Sequence, residues 1–77
     1  MFDEAACRFG FSQRETQVMR EYAAGRSARY IADWCMLSEH TVKTHIRRAY
    51  AKAGVHSRQE FLDAIERVES DLHRRDS

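Results

Sequence analysis

Apolar residues recur along the chain at steps of three and four, the period of amphipathic helices, in four stretches parted by polar turns. The clearest runs from Ser38 to Gly54, SEHTVKTHIRRAYAKAG. Val42, Ile46, Ala49, Tyr50 and Ala53 share one face there, and His40, Lys43, Thr44, Arg47, Arg48, Ala51 and Lys52 occupy the others. Ser38 predicts an N-cap, and Gly54 predicts the left-handed residue that ends the helix. Upstream, Ser12 with Glu15 predicts a capping box opening a helix over 12–24, with Val18, Met19, Tyr22 and Ala23 inward. Ser27 predicts the cap of a short helix over 28–35, with Ile31, Ala32 and Cys35 inward, and Met36 and Leu37 turn the chain into the helix over 39–53. Downstream, Ser57 with Glu60 predicts a second capping box and a helix over 58–73.

These elements predict an all-α, four-helix domain over residues 12–73, its second and third helices spaced as a helix-turn-helix. The small Ala32 lets those two helices cross closely. Many such turns carry glycine where Met36 stands, which predicts a somewhat different turn here. Residues 1–11 show no clear period and read as a lead or linker, with Phe2, Phe9 and Phe11 available to pack; 74–77 read as a tail. On the fourth predicted helix Phe61, Ile65, Val68 and Leu72 step by four, three and four, the narrow seam of a helix that packs on another. Val68 and Leu72 lie beyond the reach of a three-helix body, which predicts a partner helix over Ile65, Val68 and Leu72.

Composition changes this picture little. A chain of 77 residues makes one small domain, with no proline, three glycines and no apolar run approaching a membrane span or signal-peptide core. Two cysteines without framework spacing predict free thiols in a reducing cytosol.

Charge changes it more. The net charge of +1 hides an asymmetry: −1 over residues 1–25, +5 over 26–58 and −3 over 59–77. A basic stripe between acidic ends is the footprint of a domain that binds nucleic acid with one face. On charge alone, a solvated basic face is an equal reading.

Other chemistries find less support. Cys35, His40 and His45 offer three metal-ligand types, but the spacing fits no standard zinc pattern, and Cys35 is expected inward while His40 points out. No metal or cofactor is expected. No nucleophile and base are placed to meet, no glycine-rich phosphate loop exists, and the domain is too small for a deep pocket, so no enzyme is expected.

SQRETQV, GRSARYIA, SEHTVKTHI and GVHSRQE together resemble the LuxR/GerE-type DNA-binding domain of bacterial transcription regulators, over about residues 11–65. The TVKTH run followed by a Gly-Val turn is the specific part. The resemblance implies sequence-specific binding of double-stranded DNA, with the third predicted helix in the major groove and His40, Lys43, Thr44 and Arg47 facing the bases. Thr41, His45, Arg48 and Lys52 are implied at backbone phosphates or the core. Arg26, Ser27 and Arg29, with Ser57 and Arg58, are implied at phosphates beside two helix N-termini, where free N–H groups and the positive dipole end attract anions. Glu39 sits in the first turn, where a carboxylate suits the helix dipole, so its expected role is structural. The resemblance also implies a homodimer through the fourth predicted helix and a near-palindromic operator.

The departures are Tyr30 and Trp34 where polar residues are usual, Ala28 where Asn is common, and Ala49 and Ala53 in place of larger aliphatics. A looser likeness of ARYIA, HTVKTHI and VHSRQE is to the C-terminus of long membrane-spanning proteins in some actinobacteria. It implies a covalently linked sensor or membrane domain, and a place in the cytoplasm or tethered to the inner face of the membrane. The alternative reading is a helical protein-interaction module using its basic face together with Tyr30 and Trp34, a docking patch or simply exposed aromatics.

Overall fold

The computed structural model describes residues 2–76, with the side chains of 2–71. Five helices follow in order: α1 (Phe2–Phe9), α2 (Gln13–Ala23), α3 (Ala28–Cys35), α4 (Glu39–Ala53) and α5 (Arg58–Asp76).

The caps act as their residue types dictate. Ser12 Oγ accepts from the Glu15 N–H while the Glu15 carboxylate accepts from the Ser12 N–H, a complete capping box. Ser27 accepts from the Tyr30 N–H and Ser38 from the Thr41 N–H. Gly54 ends α4 at φ 71°, ψ 32°. The turn between α3 and α4 differs from expectation. Met36 itself takes the left-handed conformation, at φ 57° and ψ 43°, so the residue is unusual there and not the turn. A side chain in that region costs about 1–2 kcal/mol, and this one is 92% exposed, so burial does not compensate for it.

Val18, Met19, Ile31, Val42, Ala49 and Phe61 are fully buried, and α2, α3 and α4 pack on one another around them. Phe61 from α5 is the hub of an aromatic cluster. Its ring lies 6.1–6.4 Å from those of Phe2, Phe11, Tyr22 and Tyr50, tying α5 to α1, α2 and α4. Such pairs add about 0.5–1.5 kcal/mol each beyond their buried area.

The element that the periodicity did not predict is α1. Its buried face is Ala5 and Ala6, which lets the two backbones approach closely, and it packs against α5. Arg8 pairs with Asp71, and Arg20 of α2 with Asp3. Of the residues expected in the seam, Ile65 and Val68 are buried in the chain's own core. Leu72 lies outside the residues whose side chains are described. The helix expected over 58–73 runs on to Asp76.

Candidate nucleic-acid interface

Three apolar anchors on α4, Val42, Ile46 and Ala49, fix its rotation in the domain. With those positions locked inward, helical geometry turns His40, Lys43, Arg47 and Arg48 outward, and all four are exposed. Thr44 is half-buried, and its hydroxyl donates to the His40 carbonyl at 3.0 Å, so its methyl is the part left to meet a ligand. Lys43 pairs with Glu39 one turn back, at 3.6 Å. The carboxylate expected to serve the helix dipole therefore also holds one of the candidate reading cations. Exposed pairs of this kind contribute little, about 0.3–0.5 kcal/mol, and give way readily to a phosphate or base.

Beside α4 lies the start of α3. Arg26, Ser27 and Arg29 are exposed there. Arg26 stacks over the Tyr30 ring, 4.8 Å from its centroid, and its Nε lies 3.8 Å from Glu21. Tyr30 therefore orients a cation at this corner, a role its identity alone did not announce. Among the described residues Arg29, Arg47 and Arg48 have no carboxylate partner.

Two of the expected phosphate ligands are engaged elsewhere. Lys52 Nζ lies 2.5 Å from Glu15, whose side chain is nearly buried, and so pins the end of α4 to the start of α2. Arg58 donates to the Tyr22 carbonyl at 2.6 Å and stacks over the Tyr22 ring at 4.4 Å. Ser57 receives the Glu60 N–H as the cap of α5. His45 is half-buried with its Nδ1 enclosed and without a partner, and Thr41 closes the Ser38 cap through a 2.8 Å hydroxyl contact.

Glu15 makes this staple sensitive to acid. Burial acts to raise its pKa, but the hydrogen bonds from Lys52 and Ser12 outweigh that effect and leave it below the usual carboxylate value. A depressed carboxyl stabilises the fold above the unfolded-state pKa and loses that contribution as pH falls through the folded one. The melting temperature should therefore drop on acidification below about pH 4.5. Glu15→Gln should be about 1–2 kcal/mol less stable at pH 7 and show a flatter acid limb. Parallel acid limbs for the two proteins in melts monitored by circular dichroism would refute this role.

Tyr30 and Trp34, one turn apart on α3, remain 42% and 58% exposed. Trp34 borders an open groove of about 580 Å³ shared with Asp3, Gln17 and Arg20. No helix of the described residues is long and apolar enough to cross a membrane.

Residues 10–65 match the family described as "Bacterial regulatory proteins, luxR family". Curated relatives include a nitrate/nitrite response regulator protein homolog from Haemophilus influenzae, 47% identical over 61% of this chain and 23% of its own length. The fimbriae Z protein of Escherichia coli K12 is 40% identical over 68% of this chain and 25% of its own. The HTH-type transcriptional regulator MalT of Yersinia pestis is 40% identical over 74% of this chain and 6% of its own. The chain thus spans a quarter or less of the length of these relatives. No solved structure matches it significantly.

Proposed function

The chain belongs to the luxR family of bacterial regulatory proteins, and from that premise we propose that it binds double-stranded DNA sequence-specifically, as the output domain of a transcription regulator. The observation that carries this reading is α4, locked inward by its apolar face and turning Lys43 and Arg47 outward beside the exposed start of α3. A helix so presented fits the major groove, where Arg donates twice to a guanine edge and Lys reaches O6 or N7. Arg26, Arg29 and Arg48 set the register on phosphates, with the free N–H groups of the α3 N-terminus between them. His40 and the Thr44 methyl complete the reading face, the methyl suiting contact with thymine.

The proposal extends to a two-fold dimer on a near-palindromic operator, with two copies of α4 about one DNA turn apart. The dimer contact falls to exposed parts of α5, since Ile65 and Val68 already serve the domain's own core. A covalently linked sensor half and a cytoplasmic location belong to the same proposal.

Equilibrium binding to a duplex over a salt series tests it. Each phosphate neutralised steepens the log–log slope by about 0.9, so with Arg26, Arg29 and Arg48 engaged, affinity should fall about fortyfold between about 50 and 200 mM salt. A salt-independent complex would exclude the phosphate scheme. The exposed Trp34 favours a second reading, a module that docks on a protein partner. That reading predicts no shift of random duplex in a gel at low salt.

A further inference from the structure

The hydroxyls of Tyr22 and Tyr50 meet at 2.7 Å, where the end of α2 passes the last turn of α4. Both side chains are half-buried, and with Ala28, Lys43, Ile46 and Arg47 they line an open cleft of about 380 Å³. The cleft therefore sits against two cations of the proposed reading face.

Proton counting makes the pair more than a packing contact. Two phenols carry two O–H donors, and a bond between them uses one. Among the described residues neither oxygen has another protein partner, so the second O–H is not used within the chain. That second O–H faces the open cleft and is available to any ligand that brings an acceptor into it. Burial and the neighbouring phenol push the Tyr50 pKa up, so its hydroxyl stays protonated across the physiological range. The positions on the rim define the acceptor. Lys43 and Arg47 draw an anion towards the cleft, and Ala28 puts only a methyl group at its lip.

We propose that the Tyr22–Tyr50 pair is an uncharged DNA-contact site, donating its remaining O–H to a backbone phosphate seated in the cleft beside Lys43 and Arg47. The inference rests on the DNA-binding reading above and adds to it a neutral donor contributed jointly by α2 and α4. Phenol donors add affinity without displacing counterions. Their contribution is thus separable from that of the arginines by the salt dependence.

The test compares the full chain with Tyr22→Phe, Tyr50→Phe and the double variant on a 24-base-pair mixed-sequence duplex over a salt series, with melting curves for each. Phenylalanine keeps both rings and removes only the oxygens. The double variant should bind about threefold to tenfold more weakly at every salt concentration, with an unchanged slope. Each single variant still keeps one free O–H, so the two single losses should be small and should sum to less than the loss in the double variant. Wild-type affinity in the double variant would overturn the inference and leave the DNA-binding reading standing. So would a flattened salt slope, which would mean that the phenols merely position cations, or two equal and additive single losses. A wild-type chain that does not bind the duplex at all would overturn both readings together.

Discussion

Replacing Lys43 and Arg47 together by alanine should weaken binding to the preferred duplex by roughly 2–6 kcal/mol, at about 1–3 for each lost base contact. The fold should survive, since both side chains are exposed and the buried anchors of α4 are untouched. The loss should be specific to sequence. Binding to scrambled duplex should weaken less, and the difference between the two should narrow towards zero. Lys43 brings an added effect, because its removal leaves Glu39 unpaired on the reading helix, where a carboxylate repels the DNA. Arg48→Ala is the contrasting case. Placed for a phosphate, it should weaken binding to all sequences alike and lower the salt slope by about one. Titration of a duplex selected from a random pool, against its scrambled form, separates the two. If the double alanine variant discriminates as well as wild type, bases are not read by this face.

Val68→Asp should cost about 3–5 kcal/mol, because it puts an unpaired carboxylate at a position 5% exposed in the core of the domain. A domain of this size holds only about 4–11 kcal/mol in all, so the variant should sit close to its unfolding midpoint in plain buffer. A seam waiting for a partner would behave otherwise, since aspartate there would leave the fold intact and disturb only self-association. Urea denaturation of Val68→Asp, with exposed Glu66→Ala as the control, distinguishes the two. An unshifted midpoint for the aspartate variant would mean that this position does not serve the core.

The parts of the fold that could be read from the sequence are those governed by neighbours close in the chain. Ser12, Ser27 and Ser38 cap helices where their spacing to the next apolar positions said they should, and the faces of α2, α3 and α4 follow from a 3.6-residue period. What escaped depends on distant partners. The helix α1 buries two alanines, too weakly apolar to mark a face, and only its packing on the distant α5 and on α2 and α4 makes them buried. Without α1, Val68 looked stranded. Lys52 has the same charge whether it faces a phosphate or Glu15, 37 residues away, and only the packed structure shows which it meets. The Tyr22–Tyr50 hydroxyl pair is illegible for the same reason, being formed across 28 residues. One pairing was open to reading and was missed. Glu39 and Lys43 stand four apart on a helix, the spacing at which opposite charges meet.

Kinship and cohesion draw different borders in this molecule. The family match begins at residue 10, yet Ala5 belongs to the core and the rings of Phe2 and Phe61 meet edge to face. A fragment cut at the ancestral border would keep every residue of the proposed reading face and lose the lid of its core. The core around Phe61 would then lose Ala5 and Phe2 from one side, and the fragment would be a sticky, easily melted reader of DNA. For this domain, the shortest piece that recognises and the shortest piece that endures are not the same piece.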